Sequence, residues 1–536
     1  MFKLKPLFSG RAAALPAFAC AASFVLFAWI CSQFYLPGKG FTYLIEFGAR
    51  ERARFIPEVR AVNHYEIPDS SGYDAQYYAQ IAMRPRLDDP VLRRAVDSLP
   101  YRARRILFCW TAWLLAGGRP VLAMQIYAFQ NIVAWFLLGI LLWRWLPPNR
   151  LENWARWAAI LFSFGLCCSV RGALVDGPSL LLIAAAMALL ESGRAGWATA
   201  VLGLSGLGKE TNLLAAVAWL PDRGAGRREA LRAFGRIALA ALPLALWVAW
   251  LTHRMGGSGE MGARNFSWPF AGYAGKWREL SSHWRIHGFD AIARGDLLVL
   301  IALSVQLLFF ALRPRWSDRW WRLGAVYALL MVVLGPAVWE GYPGAAARVL
   351  LPLTLAFNLI VPRGRVWLLV LIAGNLSVFI SRGVLRPPGR ESYTVSGPRA
   401  LRIEPGTGRI VEAIFDSGWY PPEKSWLEYW RWCRGDGDVT FRNPHPFPVL
   451  ADISFGLRAN DRRTLEVCAG TGILWRGKVE GGRLREIRIA GVRLPPGDTT
   501  WRFETDQPPI RASAVDARPL TFSLRNLKLR LRRPPG

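Results

Sequence analysis

Long apolar runs constrain this chain more than any other feature. Several segments of about 20 residues carry few or no charges, and a helix of that length crosses the hydrocarbon core of a bilayer. Just over half of the 536 residues, 52%, are hydrophobic. The sequence therefore predicts a polytopic α-helical membrane protein.

The charges between the apolar runs predict the orientation of the helices. The basic start MFKLKPLFSGR precedes a first run from Ala12 to Leu36, which is too long for the core of a cleaved signal peptide. Placing the later arginine-rich loops on the cytoplasmic side gives about eleven crossings of the cytoplasmic (inner) membrane. Residues 37–104 then form a long external loop, and the C-terminus is also external.

The net charge of +29 does not point to nucleic acid in this setting. In a soluble protein such an excess would suggest that partner. Here the arginines cluster in short loops between apolar runs, where they orient helices. We therefore expect no nucleic-acid partner.

One apolar run carries charges at its centre. Gly196–Leu220 holds Lys209 and Glu210 at its middle. As one helix it would bury the lysine at a cost of roughly 2.5 to 3.5 kcal/mol and send the basic loop that follows to the outside. Two half-helices meeting at Gly206–Thr211 avoid both problems. We therefore predict a broken hairpin at a cavity wall, because non-helical backbone at membrane depth is tolerated only there.

The composition changes at residue 390. Apolar residues then alternate with polar ones, as in half-buried strands, and turn signals separate the runs. The sequence predicts a membrane domain at 1–385 and an external all-β sandwich at 390–536. Because an external domain lies in an oxidising compartment, we expect a disulfide between Cys433 and Cys468. The alternating apolar residues are Val449, Ala451, Ile453, Phe455, Leu457, Phe522 and Leu524.

The stretch YEIPDSSGYDAQYYAQIA in the first external loop collects carboxylates and aromatic residues. Asp74 is the best candidate for a base that deprotonates an acceptor hydroxyl. An alternative is that Asp74 is the N-cap of the helix AQYYAQIAM. Hydrogen-bonding and stacking groups suited to fixing a sugar surround it. The candidate substrate-binding residues of this loop are Glu66, Asp69, Tyr73, Gln76 and Tyr77.

Cations from distant parts of the chain are predicted near the same outer face. They would stabilise the negative charge of a phosphate leaving group. Acidic residues accompany them: Glu210 fits either a substrate contact or a buried partner of Lys209 or Arg348, and Asp176 fits an N-cap somewhat better than a ligand. The further substrate-binding candidates are Arg102, Arg105, Asp176, Lys209, Glu210, Glu340 and Arg348.

Several of these segments together resemble a known family. GYDAQYYAQIA followed by YRARRIL, then VDGPSLLL, GLGKETNLL and WEGYPGAAARVLLPLTLAFN, are similar to motifs of bacterial integral-membrane glycosyltransferases of the GT-C superfamily, over roughly the first 380 residues. The resemblance implies inverting transfer of a sugar from a polyprenyl-phosphate carrier to an external acceptor. It also implies that Asp74 is the acidic residue of the first loop and that the cationic positions are Arg102, Arg105, Lys209 and Arg348.

The resemblance implies partners but leaves the cofactor open. The expected partners are a polyprenyl-phosphate-linked sugar, membrane lipid, and a glycan, lipid or protein acceptor outside the membrane. Ala75 stands where such loops often have glycine, and no paired acidic motif adjoins Asp74. No cofactor is therefore predicted with certainty, and use of a divalent metal stays open.

Two other functions remain alternatives. A lipid or glycan transporter or flippase would also have a broken helix and charges near the midplane, although the two halves of this chain show no matching pair of interrupted helices. A non-catalytic glycan-binding protein would use the polar stretch WRWCRGDGDV of the sandwich. Sugar-dependent release of polyprenyl phosphate separates the enzyme from both.

Overall fold

Two parts with separate hydrophobic cores make up the chain. The computed structural model describes residues 11–36, 38–67, 70–222, 224–256, 262–341, 343–387, 392–393, 411–424, 429–511 and 518–532. The first part is helical and its last helix ends at Val384. The second part consists of strands and begins at Ser392.

The helical part contains long apolar helices and many shorter ones. Short 3₁₀ helices connect them at Thr42–Leu44, Ala49–Arg54, Ala103–Arg105, Glu210–Trp219 and Ala263–Asn265. The α-helices are α1 Arg11–Ser32, α2 Pro57–Arg60, α3 Asp74–Met83, α4 Pro90–Ala95, α5 Leu99–Arg102, α6 Leu107–Leu115, α7 Pro120–Leu142, α8 Leu151–Leu161, α9 Phe164–Arg171, α10 Asp176–Glu191, α11 Ala195–Gly206, α12 Arg227–Met255, α13 Ala271–His287, α14 Ala291–Leu312, α15 Arg319–Val333, α16 Pro336–Trp339, α17 Ala346–Val349, α18 Leu351–Ile360, α19 Arg365–Ala373 and α20 Val378–Val384.

Five helical segments in the described part of the chain are long and apolar enough to cross a membrane. They indicate a membrane protein. The other runs predicted to cross form helices of at most 16 residues, such as α10 and α18. At 1.5 Å per residue these reach at most about 24 Å, which is less than the ~30 Å of the hydrocarbon core. The number of crossings beyond five therefore stays a prediction. The five are Ala14–Ser32, Pro120–Leu142, Arg227–Met255, Ala291–Leu312 and Arg365–Val384.

The chain reverses at the charged break in the run from 196 to 220. Helix α11 ends at Gly206, and a 3₁₀ helix follows directly after Lys209. The Asn212 side chain donates to the carbonyl of Ser205 at 2.9 Å. Further from the turn, the Trp219 indole donates to the hydroxyl of Thr199 at 3.2 Å. The two halves therefore lie side by side, as the central charges predict, with the turn at one end.

Most of the described strands after residue 391 form two sheets around one core, and Ile510–Arg511 pairs separately with Pro519–Leu520. The six-stranded sheet has the order β10-β9-β12-β7-β4-β3, and the five-stranded sheet has the order β11-β8-β15-β6-β5. The strands are β1 Phe47–Gly48 and β2 Glu66–Ile67 in the first loop, then β3 Ser392–Tyr393, β4 Val411–Phe415, β5 Glu423–Lys424, β6 Tyr429–Trp432, β7 Gly437–Asn443, β8 Val449–Ala459, β9 Arg463–Ala469, β10 Gly472–Val479, β11 Arg485–Leu494, β12 Gly497–Thr505, β13 Ile510–Arg511, β14 Pro519–Leu520 and β15 Phe522–Arg532.

Alternating apolar residues of the two sheets meet in the core of this part. The seven residues named from the alternation are all buried. The ring of Phe455 in the five-stranded sheet lies 5.7 Å from the ring of Phe503 in the six-stranded sheet. The predicted sandwich-like β domain is therefore present. A 3.3 Å ion pair between Lys39 and Glu412 of β4 connects it to the helical part.

The expected disulfide is wrong, because Cys433 and Cys468 are both free thiols. Cys433 is buried in the sandwich core beside Trp419. Cys468 lies on β9, where Leu465 and Val467 point into the core and Cys468 takes a half-buried position next to Val467. The alternation along the strand directs the second thiol away from the core that holds the first.

The hairpin makes a topological prediction. Thr211 lies beside the turn and Ala225 follows the returning half, so cysteines at these positions should meet solvent on opposite sides of the membrane. In a background with Cys168→Ser and Cys468→Ser, we expect a membrane-impermeant maleimide to label Thr211→Cys from outside intact cells. It should label Ala225→Cys only after permeabilisation. Outside labelling of Ala225→Cys would contradict the topology.

Candidate functional site

A cavity of about 530 Å³ collects charged side chains from distant parts of the helical domain. Its walls come from the starts of α3 and α10, the turn of the hairpin, α17, and the segments before α6 and around Asn265. The residues with charged or polar side chains in its lining are Tyr73, Asp74, Tyr78, Tyr101, Arg104, Arg105, Asp176, Lys209, Glu210, Thr211, Asn265 and Arg348.

Asp74 is positioned by the tight turn that precedes α3. Gly72 has φ +78°, a conformation that favours glycine. A Cβ at Gly72 would lie 2.3 Å from the Gln76 side-chain oxygen, so the turn packs directly on that amide. Gln76 in turn accepts from the Gly48 N–H at 3.2 Å and donates to the Ser71 carbonyl at 2.7 Å. Gln76 is therefore a buried support of the loop.

The N-cap alternative for Asp74 is wrong. The N-cap of α3 is Tyr73, and no side chain makes a capping hydrogen bond there. Asp74 is the first helical residue, where the positive end of the helix dipole stabilises a carboxylate. About a third of its side chain is exposed, at 34%. The carboxylate is thus accessible from the cavity.

Arg102 orients this carboxylate from outside the cavity. Its guanidinium lies 3.0 Å from Asp74 Oδ1, and it donates to Asp97 through two hydrogen bonds of 3.0 and 2.7 Å. The group is buried and also lies 5.1 Å from the centre of the Tyr77 ring. Neither Arg102 nor Tyr77 lines the cavity. Both predicted binding residues therefore lie next to the site and support Asp74.

Asp176 joins two cations on the other wall. Lys209 Nζ donates to one carboxylate oxygen at 2.5 Å, and Arg348 donates to the other at 3.2 Å. Burial alone would raise the pKa of the Asp176 carboxyl, but the charges of Lys209 and Arg348 outweigh it and hold that pKa below its usual range. The N-cap of α10 is Val175, so the favoured N-cap interpretation of Asp176 is wrong.

Two further pairs complete the charged walls. Arg105 donates to Glu210 at 2.9 Å and to the Tyr78 hydroxyl at 3.2 Å. Glu210 therefore has a cationic partner, but that partner is Arg105. Arg348 also donates to the Tyr73 hydroxyl at 2.6 Å. This bond connects the wall that holds Asp176 to the wall that holds Asp74.

Some candidates from the sequence lie away from the cavity. Glu66 pairs with Arg52 and His64, each at 2.9 Å. Burial would raise the pKa of Glu66, but these two partners hold it below its usual range. Glu340 forms an exposed ion pair with Arg264 and does not line the cavity. Asp69 lies outside the described residues.

The cavity also contains residues that sequence reasoning missed. Tyr101 and Arg104 belong to the same YRARRIL segment as Arg105. Their position next to a predicted binding residue could have identified them as candidates. Tyr78 was not missed in this way, because the sequence already places it among the groups around Asp74; it follows Asp74 by four residues and so lies on the same helix face. Asn265 donates to the Tyr101 hydroxyl at 3.2 Å from a loop more than 160 residues away, and no sequence signal marks it.

The arrangement places a carboxylate opposite a group of cations. Asp176 and Glu210 are engaged by Lys209, Arg348 and Arg105. Asp74 is paired with Arg102, which lies outside the cavity lining, and at 34% its side chain is more exposed than those of Glu210 and Asp176, at 27% and 6%. Asp74 is therefore the cavity carboxylate that could accept a proton from a substrate hydroxyl or serve as a ligand to a divalent cation. The cations suit an anionic group such as a phosphate.

No protein-family model matches this chain, and no curated protein does. The cavity itself is therefore the basis for assigning a function.

The Asp176 pairs predict a large effect on stability. Replacing Asp176 with Asn leaves Lys209 and Arg348 buried without a shared carboxylate, and breaking a buried ion pair costs about 3 to 5 kcal/mol. We expect Asp176→Asn to lower the free energy of unfolding in mixed micelles by at least about 3 kcal/mol. Glu340→Gln, which breaks an exposed pair, should cost less than about 1 kcal/mol. Equal losses in the two variants would contradict the role given to Asp176.

Proposed function

We propose that this protein is an inverting membrane glycosyltransferase. It transfers a sugar from a polyprenyl-phosphate carrier to an acceptor hydroxyl outside the inner membrane. The observation that carries the proposal is that the accessible carboxylate of Asp74 and the cations Arg105, Lys209 and Arg348 line one cavity. The fold would then be of the GT-C type, with the crossings predicted from the sequence and with the site and the β domain on the outer side.

The two walls have complementary tasks in such a reaction. Asp74 accepts the proton of the acceptor hydroxyl, whose oxygen attacks the anomeric carbon of the sugar. The bond from that carbon to the phosphate oxygen breaks, and the electron pair leaves with the phosphate. Attack opposite to the leaving group inverts the configuration. Lys209, Arg348 and Arg105 stabilise the charge that grows on the phosphate.

A second, apolar cavity supports a lipid-linked donor. It has a volume of about 660 Å³ and is lined by residues of α6, α7, α10 and α11. Helix α10 contributes Asp176 to the charged cavity and Leu181 to the apolar one, five residues or about 7.5 Å along the helix. An amphiphile with a charged phosphate head and an apolar isoprenoid tail matches this pair of cavities, with its head in the charged one and its tail in the apolar one.

A lipid flippase is the second candidate, and the broken hairpin favours it. Charged residues at an interrupted helix are expected in transporters as well. A flippase moves its lipid intact, whereas a transferase releases polyprenyl phosphate only when an acceptor receives the sugar. A screen of lipid-linked sugar donors with the purified protein separates them. Turnover of a soluble nucleotide sugar, with lipid-linked donors ignored, would contradict the proposal.

Asp74 provides the sharpest test of the chemistry. We expect Asp74→Asn to lower the transfer rate by about 10² to 10⁴, the usual contribution of a general base. The fold should survive, because Arg102 keeps both hydrogen bonds to Asp97. The measurement is the turnover number with a lipid-linked donor, alongside the thermal midpoint.

Glu66→Gln is the matched control for this variant. Glu66 lies in the same loop but outside the cavity, so this protein should keep nearly normal turnover. A fully active Asp74→Asn protein would remove the residue from the role of base.

Arg348 tests the stabilisation of the leaving group. Interactions that strengthen as the phosphate departs affect kcat more than binding. We therefore expect Arg348→Gln to lower kcat at least tenfold, with a smaller change in KM for the donor. Arg348→Lys keeps the charge and should recover part of the loss. A change confined to KM would assign Arg348 to ground-state binding only.

A further inference from the structure

The outer face of the five-stranded sheet carries basic residues at successive levels. Along the central strand β8, even-numbered residues from Leu450 to Arg458 alternate with the buried core residues and therefore point outward. Strands β11 and β15 flank it, and paired residues share a face. The cross-strand partners on this face are Arg493 opposite Leu450, Arg530 opposite Asp452, Lys528 and Arg488 opposite Ser454, and Arg525 opposite Gly456.

This register produces a ladder of positive charge. Four of the five levels of β8 from residue 450 to residue 458 have an exposed cation in the described residues. At the level of Gly456 the cation is Arg525, which is buried with its guanidinium 4.6 Å from the centre of the Trp430 ring. Successive levels are about 6.8 Å apart, so the ladder is about 27 Å long. Three carboxylates, Asp452, Glu486 and Glu423, share this face with six cations, and the face therefore carries an excess of positive charge.

Most of these cations lack a carboxylate partner. Within the described parts of the chain, Arg458, Arg488, Arg493, Lys528 and Arg530 are exposed and form no ion pair. The other outer face of the sandwich is different. There Arg442 pairs with Asp498 at 2.9 Å, Arg476 with Glu466 at 2.8 Å and Arg502 with Glu504 at 2.8 Å. Like charges left close together on one face of a domain favour an anionic partner.

The ladder faces away from the contact with the helical part. Glu412, which pairs with Lys39, belongs to the six-stranded sheet. The basic face belongs to the opposite side of the sandwich. Its exposed cations therefore meet solvent.

We propose that this face binds a linear polysaccharide that bears carboxylates. The choice of a glycan over nucleic acid rests on the proposed function, which puts the domain outside the inner membrane. A repeated ladder of cations matches a polymer with repeated anionic groups, and binding releases the counterions held by that polymer. Trp432 lies at the Arg458 end of the face, where its aromatic ring can stack on a sugar ring, whereas the ring of the neighbouring Trp430 is covered by the Arg525 guanidinium.

Polygalacturonate is the probe for this surface. The full chain, held in nanodiscs of zwitterionic lipid, is titrated with it at several salt concentrations. The test variant is Arg488→Gln/Lys528→Gln/Arg530→Gln. The matched control is Arg442→Gln/Arg476→Gln/Arg502→Gln, which removes the same charge from the other outer face.

We expect the test variant to bind at least tenfold more weakly. The slope of log affinity against log salt should become shallower by about two, since three cation contacts are lost. The control variant should stay within twofold of the original protein. Fully methyl-esterified polygalacturonate, which has the same backbone without the charge, should bind at least tenfold more weakly than polygalacturonate.

Three results would overturn the proposal. They are equal losses in the two triple variants, equal binding of the esterified polymer, and binding of a single-stranded DNA of the same charge as tightly as polygalacturonate. The titration needs no donor and is repeated with the Asp74→Asn protein. The titration therefore gives the same result whether or not the protein transfers a sugar. Likewise, an absence of polygalacturonate binding does not count against the transfer reaction.

Discussion

The helical part depends on one buried carboxylate that holds two cations. Asp176 binds Lys209 from a position 33 residues along the chain and Arg348 from a position 172 residues along it. Desolvating three charges is costly, and the cost is offset only when the geometry is good and each charge has partners. The same contacts fix the relative positions of α10, the hairpin turn and α17, the elements that form one wall of the cavity.

The opposite wall is built independently of that cluster. Asp74 is aimed by Arg102 and by the turn that packs on Gln76, and neither support touches Asp176. The bond from Arg348 to the Tyr73 hydroxyl joins the two walls. Apart from this bond, Asp74 and the cations of the cavity are held by different contacts.

The sequence predicted the features that follow from local composition. The cost of burying Lys209 predicted the break, and alternation along residues 449 to 457 predicted strands. Long-range pairing could not be predicted, because nothing near Glu210 marks Arg105 as its partner. The disulfide failed for a similar reason: the two cysteines were known to share a domain, but the face of each strand was not known. Apolar composition also does not fix helix length, so the single apolar run from Trp154 to Val170 is divided between two short helices, α8 and α9.

The two separate hydrophobic cores have a consequence for the evolution of the chain. Residues of the helical core and of the sandwich core belong to separate clusters, so substitutions in one need no compensation in the other. The ladder of cations belongs entirely to the second core's domain. Its charge pattern can therefore drift, or the whole module can be exchanged by recombination near residue 390, while the charged cavity of the helical part is inherited unchanged. The proposed anionic partner can in this way differ between lineages that keep the same cavity.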